Sequence, residues 1–456
     1  MDSLNRNDLE RGNRIPLQPA CPTTCPDDTA LAGRFANEFA DRSPPPAPTV
    51  SGLPLRPGRF GLLTEALDYA AEGRTGCTFH DPRGRIETVL GFARLREEAR
   101  MQARRLAGLG LRPGDRIGLV AETTPAFLIA FLGCVAAGLV PVPLPVPSAC
   151  PTRDSYFRLI GRQLRHCGAA LFLRPDDPAF HGWQEPFGMD VPELGWSGLD
   201  GLPQDPGADN RFAPPAPGDC CYIQYSSGST SFPRGVAVTH GALLSNCRGI
   251  AAALALRADD RVATWLPLYH DMGLVGTFLA ALSGQRSIDL MAPESFARRP
   301  LLWLRLISRN RATISYGPCF AYDLCRSRTG AELPPDVDLR SWRVAGVGAE
   351  MVSSDVMDAF AARFAPAGFR RTAVVASYGL AEATLGVTIA PLGHGLRTDA
   401  VDRRALSAHG RAEPVAAGRN GRAGARILVR CGHALEGQDV RIAGPDGEAL
   451  PARRVG

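Results

Sequence analysis

The 456-residue sequence contains no lysine, and all 51 of its basic residues are arginine. An arginine side chain stays charged and presents a planar fork of donors, so it neither loses a proton nor acts as a compact ammonium. Schiff-base chemistry and acid–base catalysis by a lysine are therefore excluded. A Walker-type phosphate loop, which ends in Gly-Lys-Ser/Thr, is excluded for the same reason.

Long apolar runs are also missing. The longest, residues 125–138, has 14 residues, which is too short to span a bilayer. The first residues of the sequence are charged and polar and contain no apolar core of the kind that a signal peptide needs. We therefore predict a cytoplasmic protein without a membrane span.

The cysteines and the charge exclude two further classes of protein. The twelve cysteines occur singly or as the neighbours Cys220 and Cys221, and no two Cys/His couples have the spacing of a zinc site. The net charge of +5 is small, with no basic tract and no alternation of basic and aromatic residues. Nucleic acid is therefore not an expected partner.

The length and the 45% hydrophobic content predict one large multi-layer domain or two to three subdomains. Residues 1–55 are rich in proline and polar residues and are expected to be a flexible leader, so the large domain would occupy residues 56–456. Residues 95–109 have helical spacing and precede a strand, RIGLVAE. A helix capped by Thr124 and started by Pro125 follows, and then the strand VPVPLP. This alternation predicts an α/β fold with a parallel sheet covered on both faces. Residues 150–217 have less regular spacing and are expected to wrap over the first subdomain.

The segment 222–235, YIQYSSGSTSFPRG, is the strongest local signal. Residues 221–225 alternate like a strand, and the small, hydroxyl-bearing residues 226–231 can close a backbone around an anion. The next residues, VAVTH, are β-branched, so the loop is expected to join two strands. A Ser/Gly surface hairpin with no ligand remains the alternative.

Several strand ends carry polar residues. His270 and Asp271 follow an apolar strand in WLPLYHDMGLVG, although a lone His–Asp pair is more often structural than functional. In SYGLAEATLGV, Tyr378 and Glu382 follow the alternating run TAVVAS. A carboxylate beside a phosphate-binding loop is a natural magnesium ligand, because magnesium takes oxygen ligands and bridges phosphates.

In this order and spacing, these segments resemble the adenylate-forming enzymes: acyl-CoA synthetases, luciferases and the adenylation domains of nonribosomal peptide synthetases. Within that superfamily, YIQYSSGST, WLPLYHDMGL, GPCFAYDLC and SYGLAEATL are most similar to the fatty acyl-AMP ligases. The resemblance runs from about Phe60 to the last residue. It implies the large domain of such an enzyme, with two α/β sheet subdomains and a distorted β-barrel subdomain.

The resemblance also implies a function. A medium- or long-chain fatty acid would be activated with ATP and magnesium to an acyl-adenylate. The acyl group would then pass to the phosphopantetheine of an acyl carrier protein in lipid, polyketide or lipopeptide biosynthesis. Two alternatives stay open, an acyl-CoA synthetase and a module that binds the substrates with little turnover.

The matching positions assign residues to three roles. The catalytic residues would be His270, Thr230, Arg234 and Glu382, with Glu382 as the magnesium ligand. ATP or AMP would contact Ser226, Ser227, Gly228, Ser229, Thr230, Gly348, Ala349, Glu350, Ser377, Tyr378, Gly379, Leu380 and Ala381. The acyl chain would contact Met272, Gly273, Tyr316, Gly317 and Phe320.

The sequence departs from the family pattern in three places. The phosphate loop ends in Pro233, Arg234 and Gly235, where the family usually has Pro-Lys-Gly. Val347 and Met351 flank Gly-Ala-Glu in place of Asn and Pro. The family also continues into a small carboxyl-terminal domain with a lysine that contacts the adenylate, so we expect this chain to be the large domain alone and to be weakly active.

The spacing between Glu382 and Gly432 separates the two enzyme alternatives. It is 50 positions, whereas the resemblance implies roughly half that in CoA ligases. The extra residues, about 392–425, are expected to be an insertion that keeps a ligase from using coenzyme A. A mobile surface loop is equally compatible with such an Arg- and Gly-rich segment.

Overall fold

A computed structural model describes residues 50–184, 188, 190–205, 215–226, 233–330, 332–415 and 424–456. The helices, in chain order, are α1 (Leu63–Ala71), α2 (Phe92–Ala107), α3 (Pro125–Ala136), α4 (Arg153–Cys167), α5 (Trp196–Asp200), α6 (His240–Ala253), α7 (Asp271–Gly273), α8 (Ala280–Ser283), α9 (Pro293–Arg298), α10 (Leu301–Asn310), α11 (Cys319–Ser327), α12 (Ser354–Phe364) and α13 (Arg403–His409). A π-helix, Leu274–Leu279, joins α7 to α8. Short 3₁₀ turns add to these, and one of them, Ala381–Ala383, lies in the candidate site.

The strands fall into four sheets. In chain order they are β1 (Gly76–His80), β2 (Ile86–Gly91), β3 (Arg116–Val120), β4 (Val140–Leu144), β5 (Ala169–Arg174), β6 (Glu193–Gly195), β7 (Cys220–Tyr225), β8 (Gly235–Thr239), β9 (Arg261–Thr264), β10 (Ser287–Met291), β11 (Ile314–Gly317), β12 (Val344–Val347), β13 (Val374–Gly379), β14 (Gly386–Ile389), β15 (Thr398–Asp402), β16 (Ala425–Val429) and β17 (His433–Ala434). The largest sheet has nine strands in the order β17-β14-β13-β12-β11-β9-β10-β1-β2, and a four-stranded sheet has the order β4-β3-β5-β6. The pairs β7–β8 and β15–β16 form two small sheets.

The four-stranded sheet is parallel throughout and buried on both faces. On β5, Leu171 and Leu173 belong to one hydrophobic core, whereas Phe172 between them belongs to a second. Neighbouring residues of a strand point to opposite faces, so both faces of this sheet are covered. The predicted α/β architecture with two sheet-based subdomains is confirmed.

Local signals explain where the predicted elements begin. Thr124 accepts a hydrogen bond from the Phe127 amide and Pro125 occupies the first position of α3, as expected from the sequence.

Residues 150–217 are more regular than expected, because α4, β5 and β6 lie within them. The regular start of α4 comes from Thr152, whose side chain accepts from the Ser155 amide. This helix and these strands belong to the first subdomain rather than wrapping over it.

No helix among the described residues has the length and hydropathy needed to cross a membrane.

A buried ion pair ties three neighbouring strands of the nine-stranded sheet. On β10, Asp289 is fully buried, and its Oδ2 accepts from Arg261 Nε at 2.6 Å. Its Oδ1 accepts from Arg261 Nη2 at 2.8 Å and lies 3.1 Å from His80 Nε2. Burial raises the pKa of Asp289, but the hydrogen bonds and charges of Arg261 and His80 outweigh burial and hold the pKa below its ordinary value. The carboxylate is therefore ionised and links β10 to β9 and β1.

Replacing Asp289 with Asn is expected to lower the free energy of unfolding by about 3–5 kcal/mol, because it leaves the buried Arg261 charge unpaired. The matched control is Asp338→Asn, which breaks an Arg340 pair of similar geometry that is exposed. That change should cost below about 1 kcal/mol. Denaturant unfolding measures both variants.

The pH dependence gives an independent check. Since the pKa of Asp289 is lower in the folded than in the unfolded chain, its contribution is present above the unfolded value of about 4 and is lost as pH falls through the folded value. The stability gap between the wild type and Asp289→Asn should therefore narrow below about pH 4. A constant gap across that range would contradict the assignment.

Candidate active site at the carboxyl ends of the central strands

A cavity of about 200 Å³ opens at the carboxyl ends of β11, β12 and β13. These strands pair in parallel, with Gly317 opposite Val347 and Val347 opposite Ala376, so their ends meet at one edge of the sheet. The wall includes many of the residues singled out from the sequence: Ser226, His270, Met272, Tyr316, Gly348, Ala349, Ser377, Tyr378, Gly379, Leu380, Ala381 and Glu382. Motifs that lie far apart in the sequence thus converge on one cavity.

Seven further residues complete the wall: Tyr225, Ile250, Asp271, Gly276, Leu385, Gly386 and Ile389. Asp271 stands beside His270 in the sequence, whereas no local pattern predicted a site role for the other six. Ile250 lies on α6 and Ile389 on β14, and both are buried apolar residues that resemble ordinary core in sequence. Only the fold distinguishes an apolar residue that faces a cavity from one that packs against other side chains.

Two glycines of β12 and its following turn allow the strands to approach. A Cβ at Gly346 would lie 2.1–2.3 Å from three atoms of the Tyr316 ring, and one at Gly348 would lie 2.8 Å from the Ser377 carbonyl oxygen. Such contacts do not occur between real side chains, so both positions require glycine. Ala349, the next residue, has a positive φ of 65°, an uncommon conformation for a residue with a Cβ and one often found at functional sites.

The buried ring of Tyr316 forms part of the cavity floor. Its hydroxyl lies 3.4 Å from Ser377 Oγ, and burial raises the pKa of Tyr316 to about 12. Tyr316 therefore stays neutral at physiological pH and can donate a hydrogen bond.

Tyr378 contributes an aromatic ring whose surface is 52% exposed at the mouth of the cavity. It lies at the end of β13, where the pairing with β14 shifts register between Tyr378 and Gly379. Gly379 permits that irregularity, since a Cβ there would lie 2.0 Å from the Leu385 carbonyl oxygen. A flat, exposed ring in this position is suited to stacking on a heteroaromatic base.

His270 and Asp271 form a close pair at the start of α7. His270 Nδ1 lies 2.7 Å from Asp271 Oδ1, and the Met272 amide donates to the same oxygen at 2.7 Å. The Met272 amide also lies 3.2 Å from His270 Nδ1, but the shorter contacts favour Nδ1 as the donor to Asp271. With that tautomer, Nε2 is the nitrogen available to a ligand.

The two glutamates of the predicted site differ in surroundings. Glu382 is exposed on the 3₁₀ turn Ala381–Ala383 and lines the cavity. Glu350 is also exposed, but its Oε1 accepts from the Phe320 amide at 3.0 Å, and Glu350 is not part of the cavity wall. It lies at the amino terminus of α11, where a negative charge is stabilised by the peptide dipoles.

Within the described part of the chain, no three His, Cys, Asp or Glu side chains converge as a metal site. Magnesium nevertheless binds through one or two carboxylates together with phosphate oxygens and water. Glu382, exposed on the wall of a cavity of this kind, fits that requirement.

The Ser/Gly loop joins two antiparallel strands, as predicted. At its base, the Ser226 amide donates to the Arg234 carbonyl at 2.9 Å, and the Arg234 amide donates to Ser226 Oγ at 3.2 Å. Arg234 is exposed and is not part of the cavity wall. Ser227, Gly228, Ser229 and Thr230 lie outside the described residues.

Three residues that were expected to contact an acyl chain do not line the cavity: Gly273, Gly317 and Phe320. A Cβ at Gly273 would lie 2.2 Å from the Pro267 carbonyl oxygen, and one at Gly317 would lie 3.2 Å from the Trp303 ring. Both glycines serve close packing. Phe320 is 54% exposed and packs edge-on against Trp265.

Comparisons with known proteins agree with this geometry. Residues 81–456 match the model of the AMP-binding enzyme family, and the chain belongs to that family. It is 43% identical over 411 residues to a Caulobacter vibrioides protein provisionally named acyl-CoA synthetase, covering 90% of this chain and 70% of the relative. It is 32% identical to the medium-chain-fatty-acid–[acyl-carrier-protein] ligase JamA of Moorena producens, covering 85% of this chain and 65% of that protein.

A solved structure from a study of fatty acyl-adenylate ligases of E. coli and L. pneumophila superposes with a TM-score of 0.83. The two chains are 39% identical, and the matched region covers 88% of this chain and 72% of the chain in the solved structure. The predicted resemblance to the fatty acyl-AMP ligases of the adenylate-forming superfamily is confirmed.

Proposed function

We propose that the protein activates a medium- or long-chain fatty acid with ATP to an acyl-adenylate and passes the acyl group to the thiol of an acyl carrier protein. The observation that carries this proposal is the composition of the cavity. Its lining combines an exposed aromatic ring, glycine backbone and a carboxylate with apolar side chains. A cavity with both kinds of lining suits a reaction between a nucleotide and a fatty acid.

The apolar part of the lining would hold the acyl chain. It consists of Ile250, Leu385 and Ile389, together with Gly276 of the π-helix, and is called the acyl wall. Burial of each methylene group contributes about 0.8 kcal/mol, so this wall would select acids by length. His270 lines the same cavity and would lie beside the carboxylate of the acid.

The strand ends would hold the nucleotide. Tyr378 would stack on the adenine, and the backbone of Gly348, Ala349 and residues 379–381 would border it. The loop that begins at Ser226 and ends at Arg234 would close over the phosphates, with Thr230 as its direct contact.

The reaction brings anions together. A carboxylate oxygen of the acid forms a bond to the α-phosphorus, the bond from that phosphorus to the bridging oxygen breaks, and pyrophosphate leaves. Magnesium held by Glu382 would neutralise part of the phosphate charge. The chain's own contribution is to orient the two substrates and to offer donors, namely the Tyr316 hydroxyl and His270 Nε2 when protonated, around the developing charge.

The 456 residues contain no lysine, so they cannot supply the ammonium that the family resemblance places beside the adenylate. Loss of one such electrostatic contact costs about 10²- to 10³-fold in rate, by analogy with the removal of an oxyanion donor. We therefore expect this chain to bind its substrates normally but to form the adenylate slowly.

An acyl-CoA synthetase is the second candidate, favoured by the name of the Caulobacter vibrioides relative. Transfer to a carrier protein is favoured by the name of the JamA relative. The insertion expected at 392–425 also supports the carrier, because its described part contains β15 and α13, and β15 pairs with β16, which follows the insertion. We propose that this ordered segment disfavours coenzyme A.

A test of the magnesium ligand compares two glutamates. Glu382→Gln should weaken magnesium-dependent ATP binding by about tenfold or more, since it removes a charged oxygen ligand. Glu350→Gln is the matched control, because Glu350 contacts the Phe320 amide instead of the cavity. Calorimetry with and without magnesium measures both, and equal binding by the two variants would refute the role of Glu382.

A test of the acyl wall uses Gly276, where a Cβ would meet the end of the flexible Leu385 side chain at 2.8 Å. Gly276→Val should shift the preferred acid to a shorter chain, with about a fourfold loss of affinity for each displaced methylene. Leu385→Ala should shift it to a longer one. Gly91→Val, at a position with no neighbour within 4 Å, controls for the substitution itself, and unchanged preference in both wall variants would contradict the assignment.

The function itself is tested by following acyl-adenylate from ATP and a series of fatty acids, and then offering either coenzyme A or a phosphopantetheine-bearing carrier protein. Acid-dependent pyrophosphate release with preference for the carrier is the expected result. Equal or faster transfer to coenzyme A would favour the synthetase. Absence of any acid-dependent adenylate at high enzyme concentration would contradict both.

A further inference from the structure

Positive charge is concentrated in one segment of the chain, residues 392–430. These 39 residues contain eight arginines and three acidic residues. Their excess of positive charge is as large as that of the whole chain, which is +5. The described part of this segment includes β15, α13 and β16, and Arg403, Arg404 and Arg426 lie on α13 and β16.

The three acidic residues of the segment are already engaged. Asp399 lies 3.6 Å from Arg430 and 3.2 Å from Arg453. The Asp402 carboxylate accepts from the Ala405 amide and caps α13. Glu413 lies 4.0 Å from Arg411. These three carboxylates do not cancel the excess of positive charge on the segment.

Arg403 and Arg404 occupy the first two positions of α13 and are exposed. Neither forms an ion pair with a described residue. Positive charge at the amino terminus of a helix opposes the peptide dipoles and is mildly destabilising. Folding therefore gives no reason for two arginines at these positions, whereas an anionic partner would.

The other end of α13 borders an open cleft of about 210 Å³ between residues 411–414 and 451–454. Arg411, Arg453 and Arg454 line it together with Glu413, so its net charge is positive even though Arg411 lies near Glu413 and Arg453 contacts Asp399. Arg454 Nη1 donates to the His409 carbonyl at 3.1 Å, which links the cleft to the carboxyl end of α13. Each guanidinium group has five N–H donors, so the donors that make no contact within the protein can bind carboxylates of a partner.

This surface adjoins the cavity. Arg426 on β16 lies with Nη2 3.4 Å from the Met351 sulfur. Met351 is two residues from Ala349, which lines the cavity wall. A partner on α13 and its cleft would therefore sit beside the rim where an acyl-adenylate would form.

We propose that Arg403, Arg404 and the cleft of Arg411, Arg453 and Arg454 form a docking surface for the acidic face of the acyl-accepting carrier protein. This inference rests on the proposed function. Charge complementarity identifies the class of partner. Residues 392–456 contain no Phe, Trp or Tyr, so the surface lacks the stacking side chains typical of single-stranded nucleic-acid binding.

The test is the double variant Arg403→Glu/Arg404→Glu. Binding of an acidic, phosphopantetheine-bearing acyl carrier protein, followed by calorimetry at low and high salt, should weaken by about tenfold at low salt and lose most of its salt dependence. The matched control is Arg112→Glu/Arg158→Glu, which makes the same charge change at two exposed arginines on the four-stranded sheet subdomain. That variant should bind like the wild type.

Three outcomes would overturn the proposal. The α13 variant could bind the carrier protein as tightly as the wild type, or the control variant could lose as much carrier binding as the α13 variant. The α13 variant could also lose binding to duplex DNA or phosphatidylglycerol vesicles to the same extent as binding to the carrier protein. The last outcome would indicate a general anion surface. Acyl-adenylate formation, measured in all three proteins, should be equal. If the wild type forms the adenylate but the α13 variant binds the carrier protein as tightly as the wild type, the docking proposal is wrong and the proposed ligase function is unaffected. If the wild type forms no adenylate, the proposed ligase function itself is contradicted.

Discussion

The close approach of β11, β12 and β13 is the constraint on which the candidate site depends. The Tyr316 ring lies against β12 only because Gly346 has no side chain, and the turn after β12 meets Ser377 only because Gly348 has none. These two contacts bring the ends of three strands to one rim and place the Tyr316 hydroxyl beside Ser377. The geometry of the cavity therefore depends on the absence of side chains at Gly346 and Gly348 as well as on the side chains that line it.

Much of this arrangement could be predicted from the sequence, because turn chemistry and strand-end polarity are local signals. The Ser/Gly loop between two strands and the Thr124 cap are of this kind, whereas the grouping of His270, Tyr378 and Glu382 in one site came from the family resemblance. The apolar wall could not be predicted, since Ile250 and Ile389 have the pattern of core residues. The elements within residues 150–217 were missed because Pro and Gly around α4 obscured its helical spacing.

The two glutamates illustrate a limit of motif reading. Glu350 and Glu382 each follow a glycine-containing strand end, and sequence alone gave both a place near the nucleotide. In the structure a single hydrogen bond, from the Phe320 amide, directs Glu350 to a helix terminus, while Glu382 lines the cavity. The distinction depends on where α11 begins relative to β12, a tertiary relation that no local pattern contains.

The distribution of arginine explains why charge must be brought to this site from elsewhere. Arg261 is committed to a buried carboxylate, and the largest excess of arginine lies on residues 392–430. Among the described residues that line the cavity, only His270 can carry positive charge. The proposed reaction joins a carboxylate to a phosphate and needs more positive charge than one imidazole can supply. Under that proposal, the described residues offer two further sources, a magnesium ion at Glu382 and the guanidinium group of Arg234, which lies outside the cavity wall. Magnesium would then carry most of the charge that the reaction needs, because it binds the phosphate oxygens directly.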